Sequence, residues 1–386
     1  MATHGPCAIS RRASGCGLAI AAWSAAALIG GIGGCQRTSA GQSAQGSPPA
    51  PSSTRPAARP SSAPASAPRV PHPRIPERAA APLLGGELGL DHVGVAVRDL
   101  EAARVAYEAL GFAFAARGKL PNGLENYNFY FSDTTYLELL TTWDRAKNKW
   151  VAGFIDRHGR GCMFMVLSVA SAEGAARYLA GRGHAMSKPL AGSIETAAAD
   201  RSDRPLWHTL YFERSPLPAD NLFFIAYDEQ RRRQNLERMR AAREAGTLRQ
   251  HPNSALGLRA VWVAVEDLAT ARRAYESIGL AAGRELELPQ LGGRGVEILA
   301  GIGSILLLAP AGPEAPLARF IGRRGNGALA GMTLRVASLP RARRAVEAGI
   351  GQQVEPFTGV FGPSILVPPE KASDVWLEMV EPGPAI

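Results

Sequence analysis

Three polar side chains stand inside segments whose other residues alternate as they do in β-strands. His92 lies in LDHVGVAV, Glu138 in TTYLELLTT and His208 in LWHTLYF. Successive strand residues point to opposite faces, so His92 shares a face with Gly94 and Ala96. Imidazole and carboxylate groups can move protons, and together they suit a divalent cation such as zinc, iron, manganese or nickel. Whether these groups act together depends on the elements that carry them.

A duplicated segment sets the architecture. Residues 90–112 align without a gap with residues 258–280, and 13 of the 23 positions are identical. In each copy, an alternating apolar stretch is followed by Asp99 or Asp267 in the position of a helix N-cap. Further strand patterns follow the first helix, so one unit reads strand, helix, strand, strand, strand. We identify four such units, which predict an α+β protein of two paired domains.

The second unit begins near Cys162, with strands expected near Ile194, around His208 and at 222–228. A segment rich in Arg, without a continuous apolar stripe, separates the two pairs and is predicted to be a solvated linker helix. The predicted organisation is a signal peptide at 1–34, a lipidated Cys35 with a disordered Pro/Ser/Ala tether at 35–81, an N-terminal domain at 82–230, a linker helix at 231–253 and a C-terminal domain at 254–386.

The N-terminal leader has the order of a secretory signal. Arg11 and Arg12 precede an apolar stretch that ends at Ile32-Gly33-Gly34-Cys35, which resembles the lipobox of bacterial lipoproteins. That resemblance implies cleavage before Cys35 and a lipid on its thiol. The alternative is an uncleaved signal anchor, because an apolar stretch of about 18 residues is close to the lower limit for a membrane span. The predicted location is the cell envelope, and Gln36 favours the outer membrane in a cell with two membranes.

The charge distribution argues against nucleic acid as a partner. The net charge is +9, but residues 1–80 hold eight Arg against the single acid Glu77. The rest of the chain therefore carries about +2, which offers no basic binding face. Cys162 is the one cysteine left after the leader and Cys35, and its apolar surroundings predict a core residue rather than a nucleophile.

Several segments resemble the vicinal oxygen chelate superfamily and, within it, the glyoxalase-like branch. They are LDHVGVAVRDLEAARVAYEALGF, GLENYNFYFSDTTYLELL, RPLWHTLYF, NLFFIAYDE and HPNSALGLRAVWVAV, and the resemblance covers roughly residues 88–384. It implies two paired glyoxalase/bleomycin-resistance/dioxygenase-like domains, in which βαβββ units form a cupped sheet around a metal or ligand. The superfamily includes lyases, isomerases, dioxygenases and drug-sequestering binders, so the resemblance says more about the fold than about the reaction.

The resemblance also implies a metal-ligand pair, which falls on His92 and Glu138. The second copy has Ala260 and Leu306 at these positions, so we expect the site in the N-terminal domain. His208 is the candidate third ligand or general base. Other residues are expected to line the ligand pocket: Asn126, Asn128, Tyr136, Trp207 and Tyr227.

Alternatives remain for the two ligands. Glu138 could pair with an arginine such as Arg204, and His92 could be a hydrogen-bonded residue beside a polar cup. His251, followed by Pro252, is interpreted as a structural junction at the entry to the second half.

Two functions follow from the sequence. The first is an enzyme that uses a divalent metal to act on a small oxygenated molecule, with Glu138 or His208 moving a proton. The second is a binding or sequestering protein without turnover. Its cup would be lined by aromatic residues, which are Tyr127, Phe129, Tyr136, Trp207 and Phe224. The partners expected are a small molecule and, through the lipid on Cys35, a membrane.

Overall fold

The computed structural model describes residues 82–85, 88–113, 116–192, 205–245 and 250–382. The predicted signal peptide, Cys35, the tether, the strand near Ile194 and Arg204 lie outside these residues. Within the described ranges, no helix has the length and apolar character needed to cross a membrane.

The chain forms two eight-stranded mixed sheets. The first contains β1 (Leu90–Ala96), β2 (Ala116–Lys119), β3 (Leu124–Tyr130), β4 (Tyr136–Thr142), β5 (Gly161–Ser168), β6 (Leu190–Gly192), β7 (Trp207–Leu210) and β8 (Leu222–Tyr227). The second contains β9 (Ala255–Ala264), β10 (Ala282–Leu288), β11 (Gly293–Ala300), β12 (Gly303–Pro310), β13 (Leu329–Val336), β14 (Phe357–Gly359), β15 (Gly362–Val367) and β16 (Trp376–Val380).

Seven α-helices accompany the sheets in the described residues. They are α1 (Leu100–Ala109), α2 (Lys149–His158), α3 (Ala172–Ala180), α4 (Glu229–Glu244), α5 (Leu268–Ser277), α6 (Pro316–Arg324) and α7 (Leu339–Ile350). The Asp99 carboxylate accepts from the Ala102 N–H at 2.9 Å, and Asp267 caps α5 in the same way. The predicted helix caps are therefore confirmed.

The two sheets have the same strand order. It is β2-β3-β4-β1-β5-β8-β7-β6 in the first and β10-β11-β12-β9-β13-β16-β15-β14 in the second. In the middle of each sheet the first strands of two units pair antiparallel, while each first strand pairs parallel with the fourth strand of its own unit. This arrangement confirms the predicted α+β fold built from four βαβββ units.

One apolar core is shared by the two domains. Val93 and Val95 of β1 and Val261 and Val263 of β9 belong to the same buried cluster, to which α1, α3, α5 and α7 contribute. In addition, β1 contacts β9 and β5 contacts β13. Each sheet therefore turns one face towards the other domain, and its opposite face has a separate core of its own.

The opposite faces are covered by α2 and α6, which the sequence patterns did not predict. Val151 and Ile155 of α2 pack on the first sheet, and Leu317 and Phe320 of α6 pack on the second. Both helices are short and connect the two units of a domain. We call the face of the first sheet beneath α2 the site face, because His92, Glu138 and Asn126 lie on it.

His251 fixes the connection between the domains. Its Nδ1 accepts from the Ala113 N–H at 3.0 Å, and its Nε2–H donates to the Tyr130 carbonyl at 2.9 Å. Both partners are backbone groups of the N-terminal domain, which agrees with the interpretation of this histidine as a structural junction.

Candidate functional site

His92 and Glu138 meet on the site face. His92 lies on β1 and Glu138 on the adjacent parallel strand β4, where Glu138 is the partner of Gly94. The His92 Nε2 atom is 3.8 Å from Glu138 Oε2, and the two residues are 0% and 2% exposed. The Tyr136 ring stacks on the imidazole with a centroid distance of 4.2 Å. The imidazole and the carboxylate therefore face each other out of contact with bulk water.

A bulge in β1 adds an acid that strand alternation does not predict. Leu90 and His92 pair with the consecutive residues Leu167 and Val166, so Asp91 is an extra residue in the ladder. A bulge re-aims the side chain of the extra residue. The Asp91 Oδ1 atom lies 2.6 Å from His92 Nδ1 and accepts from the Tyr227 hydroxyl at 2.9 Å. Regular alternation would have placed Asp91 on the opposite face.

In the described residues, Glu138 accepts a hydrogen bond from a side-chain amide, while the alternative partner Arg204 lies outside them. Asn126 Nδ2 donates to Glu138 Oε1 at 2.6 Å. Burial raises the pKa of Glu138, against the opposing effects of the nearby His92 ring and the Asn126 hydrogen bond. Within the described residues, the buried atoms His92 Nε2 and Asn126 Oδ1 have no hydrogen-bond partner. Such atoms lose the hydration they would have in the unfolded chain, so they mark a place suited to a ligand.

The second unit of this domain is apolar at the corresponding positions. The caps Asp99 and Ser171 align α1 with α3, and the same shift aligns His92 with Phe164. Gly94 of β1 pairs with Glu138, and at the equivalent position Val166 of β5 pairs with Phe223. The two phenyl rings stand edge-on to the imidazole at centroid distances of 6.0 and 6.4 Å. One half of the site is thus polar and the other half aromatic.

The structure brings most of the predicted pocket residues to this face. Asn126 and Asn128 lie on β3 beside Glu138, Tyr136 stacks on His92, and Tyr227 bonds to Asp91. Trp207 is fully buried on the same face, and its indole Nε1–H has no partner among the described groups.

His208 is not brought to the pair. It follows Trp207 on β7, so its side chain points to the opposite face, where it lies near Glu173 of α3. Because successive strand residues point to opposite faces, Trp207 and His208 cannot both lie on the site face. Three aromatic residues that were predicted to line the cup also lie on the face opposite the site face. Tyr127, Phe129 and Phe224 belong to the core shared between the domains.

The side chains of His92 and Glu138 suit two coordination positions of one metal ion. Zinc lies about 2.0–2.2 Å from nitrogen and oxygen ligands, so atoms 3.8 Å apart can both reach one ion. A second-shell carboxylate on the other ring nitrogen, as Asp91 is here, is usual for a metal-binding histidine. No group of three or more His, Cys, Asp or Glu side chains suited to a metal is found in the part of the chain that the structure describes. Further coordination positions would fall to solvent or substrate.

The C-terminal domain has polar groups that the comparison with Ala260 and Leu306 did not reveal. In its last unit, Thr333 pairs with Glu378, which places this glutamate where Glu138 stands in the first unit. Thr333 Oγ1 donates to Glu378 at 2.6 Å, and the carboxylate is 2% exposed. On β11, Glu297 accepts from Arg259 at 3.3 Å. Each glutamate thus has hydrogen-bonding partners of its own, and no histidine faces either of them in the described contacts.

Comparisons with known proteins agree with this fold. Residues 90–279 match a family model described as a glyoxalase-like domain. A search of curated proteins found no match. A variant of 4-hydroxymandelate synthase from Streptomyces coelicolor is 14% identical, with 78% of this chain and 94% of that chain covered and a TM-score of 0.53.

Two further solved structures resemble the chain. A hypothetical protein from Staphylococcus aureus is 13% identical over 76% of this chain and 99% of its own, with a TM-score of 0.50. Methylmalonyl-CoA epimerase from Mycobacterium tuberculosis is 26% identical, but it covers 34% of this chain and 91% of its own, with a TM-score of 0.31. Residues 90–279 are therefore similar to a glyoxalase-like domain, and the two eight-stranded sheets have the fold of two paired domains of the vicinal oxygen chelate type.

Proposed function

We propose that the N-terminal domain binds a small oxygenated molecule on the site face and transfers a proton to or from it, assisted by a divalent cation. The observation that carries the proposal is the unpartnered, fully buried His92 Nε2 atom, 3.8 Å from a buried carboxylate. Buried titratable groups that lie close together in pairs are often found at reactive sites.

Each residue of the proposed site has a separate role. His92 Nε2 offers a lone pair, and Asp91 holds the ring in place through Nδ1. Glu138, whose pKa burial raises, is suited to carry a proton and return it. Asn126 orients that carboxyl group, while Phe164 and Phe223 keep water away from the imidazole. A divalent cation held by His92 and Glu138 would polarise an oxygen of the substrate.

Elemental analysis tests the proposal directly. Residues 82–386 are purified without chelator or metal-affinity resin, beside a His92→Ala, Glu138→Ala double variant. A Glu378→Ala variant is the matched control, because it removes a buried glutamate from the equivalent position of the other domain. We expect near-stoichiometric metal in the parent and in the control, and its loss from the double variant. A parent without metal after metal is added back would refute the metal-assisted reaction.

A second function is supported by the aromatic half of the site. Phe164 and Phe223 stand where a second polar pair would complete the coordination of a metal. A sequestering protein needs no such pair, and it would hold a flat apolar ligand against these rings. This alternative predicts tight ligand binding by metal-free protein, without turnover.

We further propose that the protein is anchored to the cell envelope by a lipid on Cys35. The support is the order of Arg11 and Arg12, an apolar stretch and the lipobox-like residues before the cysteine.

A further inference from the structure

Asp91 makes two hydrogen bonds through one oxygen. The Tyr227 hydroxyl donates to Oδ1 at 2.9 Å, and His92 Nδ1 lies 2.6 Å from the same atom. An oxygen that already accepts a hydroxyl proton acts as the acceptor for the nitrogen as well, so His92 carries its hydrogen on Nδ1. Asp91 is 9% exposed, which leaves little water to compete for these bonds.

The neutral ring then has its lone pair on Nε2. That atom is buried, has no partner among the described groups and faces Glu138. The same chain holds a histidine in the opposite form, because His251 accepts through Nδ1 and donates through Nε2. The two histidines therefore differ in which nitrogen is protonated, and in each case the neighbouring partner decides it.

We infer that Asp91, held by Tyr227, is the positioning residue that fixes His92 as the Nδ1–H tautomer and keeps Nε2 as an electron-pair donor to the ligand. The consequence for binding rests on the function proposed above. With a lone pair on one side and a carboxylate on the other, the site takes an electron-poor group, which is a divalent cation or the proton of a substrate hydroxyl, and it repels an anion.

Nitrogen NMR of the full chain with 15N-labelled histidine rings tests the tautomer without any ligand. At pH 8 we expect His92 to show a protonated Nδ1 and a bare Nε2, while His251 shows the reverse and serves as internal reference. In Asp91→Ala, the His92 hydrogen should move to Nε2, the form that imidazole prefers in water. Asp91→Asn should preserve the parent tautomer, because the amide oxygen can accept the same two bonds.

The parent spectrum decides the inference even if the alanine variant does not fold. A parent His92 with a protonated Nε2 would overturn it, and so would a folded Asp91→Ala protein with an unchanged tautomer. Asp156→Ala removes an exposed carboxylate from the same domain and should change neither histidine.

Titration with Co²⁺ separates this inference from the proposed function. Loss of a second-shell partner weakens metal binding by about 10- to 100-fold, so we expect that loss in Asp91→Ala and none in Asp156→Ala. Equal Co²⁺ affinity in parent and Asp91→Ala would count against the positioning role. If no chain binds Co²⁺ while the tautomers are as expected, the metal-assisted function fails and the role of Asp91 stands.

Discussion

Glu138 and Glu378 occupy equivalent strand positions, but their partners differ. Glu138 faces the His92 ring, whereas Glu378 accepts hydrogen bonds from the hydroxyls of Thr333 and Ser364. Hydroxyl groups solvate a carboxylate without balancing its charge, so burial raises the pKa of Glu378. At the scale of single residues, the same acid at the same position therefore faces an imidazole in one domain and hydroxyl groups in the other.

Replacement of Glu378 by Gln should remove a pH dependence of stability. Because the folded pKa of Glu378 is raised, its stabilising contribution is complete below the unfolded value of about 4.3. That contribution is lost as pH rises through the folded pKa. The parent should therefore lose unfolding free energy as the pH rises above about 4.3, and Glu378→Gln should lose less.

Urea unfolding at pH 5 and pH 8 measures this difference. Glu355→Gln, at an exposed position of the same domain, should follow the parent. Identical pH slopes for the parent and Glu378→Gln would contradict the expected burial effect.

Gly94 lets the aromatic half of the site approach the polar half. A Cβ atom at this position would lie 2.3 Å from Cζ of Phe164. Gly94→Ala should therefore displace the ring and destabilise the domain by about 1–3 kcal/mol, the usual cost of overpacking a core. Combining it with Phe164→Leu should recover part of the loss.

Gly153 on α2 is the matched control for thermal unfolding, since nothing lies within 4 Å of its added Cβ. Gly153→Ala should stabilise the helix by about 0.5–1 kcal/mol. A Gly94→Ala protein as stable as the parent would mean that Phe164 moves at no cost.

The resemblance to the superfamily implied the pair His92 and Glu138, and the alternation of strand residues indicated which neighbours share a face with each of them. Sequence patterns did not locate Asp91, since a bulge is not encoded by alternation. They misplaced His208 and Phe224 because the phase of short strands in apolar runs is hard to read: nearly every neighbour there is apolar. The sequence does indicate which residues of β3 lie on the site face, because the polar residues Asn126 and Asn128 alternate with Tyr127 and Phe129.

At the scale of elements, α2 and α6 are joined through one arginine. Arg324, at the end of α6, donates to the Arg160 carbonyl just after α2 and to the Asp374 carboxylate. Its side chain is 7% exposed and lies across Phe154 of α2. A helix of one domain thus holds the end of the helix that covers the site face of the other.

Arg324→Ala should loosen α2. Hydrogen bonds to a charged group contribute about 1.5–3 kcal/mol each when buried, so we expect a loss of that order and faster amide exchange across Lys149–His158. Arg323 is the control, because it is 62% exposed and 3.8 Å from the same Asp374 carboxylate. Arg323→Ala should cost about 0–1 kcal/mol. Equal exchange in the two variants would show that Arg324 does not hold the helix.

The helices of the repeated unit were readable from caps and periodicity, whereas α2 and α6 were not. Asp99 and Asp267 are the N-caps of α1 and α5, and they occupy matching positions of the two copies. In contrast, α2 follows the N-cap Asn148 and α6 follows Ala315, which makes no side-chain cap. Residues 152–161 and 318–327 are identical at six of ten positions, but this second similarity between the copies was not used to predict the two helices. Their position over the sheet faces depends on contacts between distant residues, which local sequence does not encode.

At the scale of the whole molecule, the two domains share one buried apolar core. The repeat in the sequence predicted two domains but not their mutual packing. That packing follows from the apolar residues of β1 and β9, which are buried in the same cluster together with four helices. One face of each sheet packs against the partner domain. The opposite face is therefore the one available to a ligand. This explains why the polar groups of both domains, Glu138 and Glu378 among them, lie beneath α2 and α6.

The anchoring proposal makes the last prediction, which concerns the mature form of the chain. If Cys35 is the lipid acceptor, the parent expressed in a bacterium with two membranes should incorporate labelled fatty acid. Mass spectrometry should then find an N-terminus that begins at acylated Cys35. Cys35→Ser should lack the label and retain residues 1–34, because the peptidase requires the lipidated cysteine. Cys16→Ser, within the apolar stretch, should be processed like the parent. An unlabelled parent that keeps residues 1–34 would identify the stretch as a signal anchor. The body would then be held at the membrane by the apolar stretch itself rather than by a lipid on Cys35.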